Sequence, residues 1–237
     1  MLDISSLNPR QRQAVVTTRN RVLVIAGAGS GKTKTLAHRI AHLMLSGVPA
    51  DKILAITFTK AAAKEMKGRI IALLSSASGW SGSVPTIRTM HSGAARVLRE
   101  HAREIGRTRN FSIYDEQDKE DIVRAIARER GLKNAENGKF ATLWADMAIK
   151  ADYLERLRES NAMDYDLLEE ATYRLLKESP AVWQAWHDRY QYVFIDEFQD
   201  TALVQALIIG ELRPINLFVV GDPRQSIYGF RGAEPAT

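Results

Sequence analysis

The chain has 237 residues, of which 45% are hydrophobic and 26% charged, and its 33 Lys and Arg against 28 Asp and Glu leave a formal net charge of +5. This length suits one or two globular domains, and the modest positive charge is compatible with a polyanionic partner without requiring one. The absence of cysteine excludes disulfides and thiolate metal sites, while the polar start MLDISSLNPR and the lack of a bilayer-length apolar run predict a cytoplasmic protein with no membrane partner.

The first element predicted is a short helix in LNPRQRQAV, which opens at Asn8-Pro9 and carries Gln11. A glutamine amide offers one donor group and one acceptor, as the edge of an adenine base does. Gln11 is therefore a candidate adenine contact, and the alternative is a glutamine exposed on the surface.

The stretch VLVIAGAGSGKT, residues 22–33, is typical of a strand, a phosphate-binding loop and the start of a helix. Glycines let successive N–H groups converge on phosphate oxygens, Lys32 would reach the β- and γ-phosphates, and Thr33 would offer its hydroxyl to Mg²⁺. ATP and Mg²⁺ are thus the expected cofactors, and the alternative is a glycine-rich turn without a ligand. The residues expected to bind ATP here are Ala26, Gly27, Ala28, Gly29, Ser30, Gly31, Lys32, Thr33 and Lys34.

Strands alternate with helices over the next segments: a helix over 34–46, a strand over 53–58, a helix after it, and a third strand over 86–90. This alternation predicts an α/β fold with a parallel sheet and helices on both faces.

The helix that follows His91-Ser92 carries four arginines at spacings of three and four residues. We expect them to form one basic stripe, either a solvated face or a track for a phosphate backbone, and both interpretations stay open. These arginines are Arg96, Arg99, Arg103 and Arg107.

From Phe111 to about Gln191 the pattern predicts helices without strands, including one long amphipathic helix from Phe140 to Leu157 and another over 165–176. We interpret this stretch as an all-helical subdomain inserted between two strands of the sheet. The predicted organisation is a core over 1–110, an insertion over 111–190, and the rest of the core over 191–237.

The sheet is expected to resume at YVFI, residues 192–195, which ends in Asp196-Glu197. Two acids at the end of a buried strand are costly to desolvate unless a cation or a water uses them. Asp196 suits a magnesium ligand, and Glu197 suits the base that deprotonates an attacking water. We expect these acids and the turn at Lys32 to lie side by side on neighbouring strands.

A fifth strand over 216–220 leads into GDPRQSIYGFRGA. Gln225 in this segment could sense a γ-phosphate. Tyr228, Phe230 and Arg231 interleave ring faces with a cation, an arrangement that suits stacking on unpaired bases.

Together these segments resemble the N-terminal half of a superfamily 1 DNA helicase of the UvrD/Rep/PcrA type, comprising a RecA-like domain 1A and an inserted domain 1B. The motifs that carry the resemblance are LNPRQRQAV, AGAGSGKT, TFTKAAAKEM, TMHS, IDEFQDT and VVGDPRQSIYGFRGA.

The resemblance implies a role for each matching residue. Gln11 would read adenine, and Arg69 would approach the γ-phosphate. Thr33 and Asp196 would bind the metal. The catalytic group would be Glu197, Asp196, Lys32 and Gln225, and the contacts to single-stranded DNA would be Phe58, His91, Tyr228, Phe230 and Arg231.

The resemblance also implies a monomeric motor that moves 3′ to 5′ on single-stranded and partially duplex DNA in repair, replication or recombination. No second RecA-like domain follows the motifs, so we expect these 237 residues to be a fragment with little ATPase activity and no unwinding. One alternative is the helicase subunit of a recombination helicase-nuclease, which Lys60-Ala61 favours because common members have Asn-Lys there. The other is a DNA-binding regulatory module that is not a motor.

Overall fold

The computed structural model describes residues 2–77, 80, 82–133 and 135–225, with Gln225 described by its backbone alone. Seven strands and ten α-helices lie within these ranges. The strands are β1 Arg21–Ile25, β2 Ile53–Thr57, β3 Thr86–Thr89, β4 Ser112–Tyr114, β5 Ala162–Asp164, β6 Tyr192–Ile195 and β7 Asn216–Gly221. The helices are α1 Pro9–Val16, α2 Lys32–Leu45, α3 Lys60–Ser75, α4 Met90–Glu100, α5 Glu116–Glu129, α6 Phe140–Trp144, α7 Met147–Glu159, α8 Tyr165–Glu178, α9 Pro180–Arg189 and α10 Leu203–Leu212.

The chain divides into two compact units, one comprising Met1–Gly93 with Leu176–Thr237 and the other Ala94–Leu175. The second unit begins and ends earlier in the chain than the insertion predicted over 111–190. At its end the difference has a clear cause, because α9 packs within the first unit: Trp183 Nε1 donates a hydrogen bond to the carbonyl of Glu211 at 2.8 Å.

The first unit is built on a parallel sheet with the strand order β1-β7-β6-β2-β3. This confirms the predicted α/β fold with a parallel sheet flanked by helices. The strands β2 and β6 are apolar almost throughout, as strands buried on both faces must be. On one face, Leu36 and Ile40 of α2 and Ile70 of α3 pack with Phe194 and Phe218 in one buried cluster.

Because every strand of this sheet is parallel, all five carboxyl ends lie at one edge, where ligands bind in open α/β sheets. The strand order shows that the expected pairing of the Lys32 turn with the acids on neighbouring strands is wrong. β7 lies between β1 and β6, so the two strand ends are separated by two strand spacings, about 10 Å.

The second unit has its own buried cluster, which includes Val123 and Ile126 of α5 with Ile149, Tyr153 and Leu157 of α7. It is not all-helical as predicted, because β4 and β5 form a parallel pair. Each strand has only three residues, which is too short to show the alternating pattern by which strands are recognised in a sequence.

Two helices of this unit end earlier than the sequence predicts. The long helix expected from Phe140 is split into α6 and α7, because the Asp146 side chain caps α7 by accepting the N–H of Ala148 at 2.8 Å. The basic stripe is also not continuous: α4 ends at Glu100, and Arg103 lies in a separate 3₁₀ turn, Ala102–Ile105.

A buried polar network joins four elements of the second unit, α5, α7, β5 and α8. Asp164 Oδ2 accepts a hydrogen bond from the Tyr153 hydroxyl at 2.9 Å and lies 3.3 Å from Lys119 Nζ, while Asp164 Oδ1 accepts the N–H of Leu167 at 2.8 Å. Burial of Tyr153, and then the negative charge of the Asp164 carboxylate beside its hydroxyl, raise the pKa of Tyr153. The hydroxyl therefore stays protonated and donates. Each of these partners places a hydrogen-bond donor or a positive charge against the buried carboxylate.

Replacing Tyr153 by Phe removes one hydrogen bond from the buried carboxylate, so we expect the free energy of unfolding to fall by about 1–3 kcal/mol. Urea unfolding followed by circular dichroism measures the change. The matched control is Tyr114→Phe, because the Tyr114 hydroxyl has no hydrogen-bond partner among the described residues. In this control variant the free energy of unfolding should fall by less than about 0.5 kcal/mol. Equal costs for the two variants would contradict this account of the network.

Candidate active site

The loop between β1 and α2 has the backbone of a phosphate-binding turn. Gly29 and Gly31 adopt positive φ values of 70° and 80°, which glycine tolerates and other residues rarely do. Gly31 is the N-cap of α2 and provides no side-chain cap. The first N–H groups of this 14-residue helix therefore remain available to an anion, which the helix dipole also favours.

The side chains at the start of α2 reach the acids at the end of β6, although β7 separates the two strands. Lys32 Nζ lies 3.2 Å from Glu197 Oε2, and the Thr33 hydroxyl donates a hydrogen bond to Asp196 Oδ2 at 3.1 Å. The Lys32 side chain is only 6% exposed. The structure thus brings the predicted phosphate-binding and carboxylate residues into direct contact.

Asp196 is a buried carboxylate in an unfavourable environment. Burial, and then the neighbouring charge of Glu197, raise its pKa to about 6, and the hydrogen bond from Thr33 offsets this only in part. A cation at this point would stabilise the ionised form.

The oxygen groups of Thr33 and Asp196 fit a magnesium ion. Mg²⁺ prefers oxygen ligands and is usually held by one or two carboxylates, with waters and substrate phosphates completing its shell. Within the described ranges no group of three or more His, Cys, Asp or Glu is arranged to hold a metal, so the protein offers few ligands here. A buried oxygen of Asp200, Oδ1, also lacks a hydrogen-bond partner within those ranges.

Glu197 stands in a strained backbone conformation, with φ and ψ both 51°. The left-handed region costs a residue with a side chain roughly 1–2 kcal/mol. Its carboxylate is fixed from two sides, by Lys32 and by Gln199, whose Nε2 donates to Glu197 Oε2 at 2.8 Å. Such strain, held in place by two partners, is typical of functional sites.

Gln11 is positioned against the phosphate-binding loop. It closes a capping box with Asn8 at the start of α1, and its Nε2 donates to the carbonyl of Ser30 at 2.8 Å. A Cβ added to Gly31 would come within 2.9 Å of that Nε2, so a side chain here would displace the Gln11 amide as well as strain the backbone. The adenine contact of Gln11 stays a prediction.

Three further residues predicted at the nucleotide either make other contacts or are only partly described. The Arg69 guanidinium pairs with Glu65 on α3 at 2.6 Å, and no described hydrogen bond or ion pair joins it to the loop. Lys34 Nζ donates to the carbonyl of Ser6 at 3.0 Å. The backbone of Gln225 ends a 3₁₀ turn, Pro223–Gln225, directly after β7.

The predicted DNA contacts that the structure describes share the sheet edge with the nucleotide residues. Phe58 follows β2 and is 37% exposed, and His91 is the second residue of α4, directly after β3. Tyr228, Phe230 and Arg231 lie outside the described residues.

Two residues near the site were not singled out from the sequence. Gln199 contacts Glu197, and Asp222 is a buried acid, 5% exposed, directly after β7. Asp222 lies inside GDPRQ directly after β7, so its polarity after a buried strand was an available signal, whereas Gln199 lies inside IDEFQDT four residues after the end of β6 and lacks that signal.

A glycine-rich loop, an adjoining lysine and threonine, and two acids at the same edge of a parallel sheet define the class of the protein as a P-loop NTPase with a RecA-like fold. Comparison with known sequences identifies a family within this class. The sequence model of the UvrD/REP helicase N-terminal domain matches residues 7–142 and 133–237. The chain therefore belongs to the UvrD/REP helicase family.

Curated relatives agree with this assignment. The chain is 39% identical over 259 residues to the ATP-dependent DNA helicase PcrA of Bacillus subtilis, covering 98% of the chain and 34% of that protein. It is 38% identical over 269 residues to the ATP-dependent DNA helicase UvrD1 of Mycobacterium tuberculosis, covering 97% of the chain and 34% of the relative. The chain thus spans about a third of the length of these relatives. In the part of the chain that the structure describes, no helix is long and apolar enough to cross a bilayer.

Because its pKa is raised, Asp196 should lower the free energy of unfolding by an amount that depends on pH. In the folded protein this carboxyl group keeps its proton up to about pH 6, whereas its reference value is 3.8. The folded state therefore binds more protons in this window, and the free energy of unfolding falls as the pH rises through it.

Asp196→Asn should remove this cost. With EDTA present, the variant should be more stable than the unmodified protein at pH 7.5 by up to about 3 kcal/mol, and the difference should shrink toward pH 4. Urea unfolding across this range measures it. Asp51→Asn, at an exposed acid, is the control and should change stability by less than about 0.5 kcal/mol. A variant less stable than the unmodified protein at pH 7.5 would refute the assignment.

Proposed function

We propose that this chain is the ATP-binding part of an ATP-dependent DNA helicase. It binds magnesium ATP at the loop between β1 and α2, and together with a second RecA-like domain it uses hydrolysis to move 3′ to 5′ along single-stranded DNA. The observation that carries the proposal is the contact of Lys32 and Thr33 with Glu197 and Asp196.

Each residue of this contact has a distinct role in the proposal. Lys32 and the N–H groups at the start of α2 hold the phosphates, while Thr33 and Asp196 hold Mg²⁺. Bound ATP supplies the phosphoryl group that is transferred to water, and Mg²⁺ neutralises charge on its oxygens. Glu197 orients the attacking water and accepts its proton on the carboxylate.

The ion pair between Lys32 and Glu197 suggests how the base is kept inactive without a nucleotide. Lys32 Nζ lies 3.2 Å from Glu197 Oε2, so the ammonium group neutralises the carboxylate that should accept a proton. Phosphate oxygens carry more negative charge than one carboxylate and compete for the same ammonium group. Binding of the nucleotide would then release Glu197 to act as a base.

For the DNA partner, support comes from the shared edge of the sheet. Phe58 and His91 follow β2 and β3 at the edge where the nucleotide residues lie. Aromatic side chains stack on unpaired bases with little dependence on sequence, which suits a motor that moves along a strand. We extend the proposed contact to Tyr228, Phe230 and Arg231 from their sequence motif alone. A role in DNA repair, replication or recombination, action as a monomer and a cytoplasmic location complete the proposal.

Replacing Glu197 by Gln tests the proposed base. The amide keeps the size of the side chain but accepts no proton, so DNA-stimulated ATP hydrolysis by the full-length protein should fall by about 10²–10⁴-fold. Affinity for a fluorescent ATP analogue should be retained. The control is Glu178→Gln, at an exposed acid at the end of α8, which should leave both quantities unchanged. Hydrolysis that persists in the Glu197→Gln variant would refute the role of this residue.

A second prediction concerns the catalytic competence of residues 1–237 alone. In the proposal, arginines of a second RecA-like domain stabilise charge on the phosphoryl group, and removal of such arginines costs about 10³–10⁵ in rate. The isolated chain should therefore bind ATP but hydrolyse it at least about 10³-fold more slowly than the full-length protein in the presence of single-stranded DNA. Rapid turnover by the isolated chain, lost on Lys32→Ala, would show that one domain is sufficient.

A further inference from the structure

The side chain of Gln199 connects the ends of two strands at the candidate active site. On the β6 side, its Nε2 donates to Glu197 Oε2 at 2.8 Å. On the β7 side, its Oε1 accepts the backbone N–H of Asp222 at 2.9 Å. One amide group therefore uses its donor on the candidate base and its acceptor on the backbone that leads into the turn at Gln225.

The Gln199 amide also lies close to Gly221, the last residue of the neighbouring strand β7. A Cβ added to Gly221 would come within 2.9 Å of Gln199 Oε1, closer than real Cβ atoms approach other heavy atoms. Gly221 does not have a positive φ, so its backbone conformation alone does not require glycine. The Gln199 amide occupies the space next to Gly221, so a side chain at residue 221 would displace that amide.

We propose that Gln199 is a positioning residue that holds the Glu197 carboxylate and fixes it to the backbone at Asp222. The inference rests on the proposed function, in which Glu197 is the base. Only a side chain with both a donor and an acceptor can make these two bonds at once, and asparagine is one methylene shorter. Gln199 thereby couples the base to Pro223–Gln225, the turn that follows β7.

The two bonds can be separated by two substitutions. Gln199→Glu keeps an oxygen for the Asp222 N–H but replaces the donor facing Glu197 with a negatively charged acceptor, whereas Gln199→Ala removes both bonds. In residues 1–237 without nucleotide, hydrogen exchange at the Asp222 amide, followed by NMR, should accelerate by at least about tenfold in Gln199→Ala and change little in Gln199→Glu. Unchanged exchange in Gln199→Ala would overturn the proposed tie to β7.

Hydrolysis by the full-length protein tests the tie to the base. Both substitutions should lower kcat for ATP by about 10–10²-fold, as expected for a misplaced catalytic group, while KM changes by less than about threefold. Gln184→Glu is the matched control: this exposed glutamine of α9 donates to the Asp188 carboxylate at 2.8 Å, so the same chemical change is made next to an acid outside the site. The control should leave kcat unchanged.

Gly221→Ala provides an independent test, because the added methyl group would approach Gln199 Oε1 to 2.9 Å and displace that side chain. It should lower kcat by about tenfold or more when Gln199 is present. In the Gln199→Ala background the space is free, so adding Gly221→Ala should lower kcat by less than about twofold further. Multiplicative, independent effects of the two substitutions would overturn the proposal.

These outcomes separate the inference from the proposed function. If Glu197→Gln keeps full hydrolysis, the proposed function fails and the inference fails with it. If Glu197→Gln abolishes hydrolysis while both Gln199 variants retain the kcat of the unmodified protein, only the role of Gln199 is refuted.

Discussion

The candidate active site depends on bringing two acids and a lysine together where water is largely excluded. Lys32 is 7% exposed and Asp196 is 6% exposed, and charges at such positions are costly unless each is paired. The apo chain meets part of this cost through the contacts of Lys32 with Glu197 and of Thr33 with Asp196. The raised pKa of Asp196 shows that the remaining cost is not fully met. A cation beside Asp196 would lower this remaining cost.

The position of β7 between β1 and β6 determines how the site is assembled. The loop from β1 and the acids from β6 come together across the end of β7. Gly221, the last residue of β7, leaves space for the Gln199 amide because it has no side chain, and the following Asp222 offers its N–H to Gln199. The end of β7 thus borders the site and leads into the turn at Gln225. In the proposed motor, a change at the nucleotide would reach the proposed DNA contacts through this segment.

The sequence predicts the parts of this arrangement whose signals are local. The phosphate-binding loop, the acids after β6 and the parallel α/β core follow from short patterns that physical chemistry ties to one structure. Strand order is not local: nothing within residues 22–33 or 192–197 indicates that β7 pairs between those strands. The sequence predicts that the Lys32 turn lies near Asp196 and Glu197, but it predicts neither the ion pair of Lys32 with Glu197 nor the strand between them.

The same distinction explains the other differences between sequence and structure. β4 and β5 are too short to show periodicity, and the break after Glu100 removes Arg103 from the helix that carries Arg96. The role of Gln199 depends on a hydrogen bond to Asp222, 23 residues away in the chain. Such contacts follow only once the strand order is known, whereas a glutamine two residues after an acid is common in surface turns.

We propose that Lys32, Thr33, Asp196 and Glu197 form one site for magnesium and ATP. A crystal structure of residues 1–237 with Mg²⁺ and a non-hydrolysable ATP analogue tests it most directly. The claim predicts a metal about 2.0–2.1 Å from the Thr33 hydroxyl oxygen, with the Asp196 carboxylate facing it. It also predicts that Lys32 Nζ has moved from Glu197 to the phosphates. A nucleotide bound elsewhere, with the ion pair between Lys32 and Glu197 intact, would contradict it.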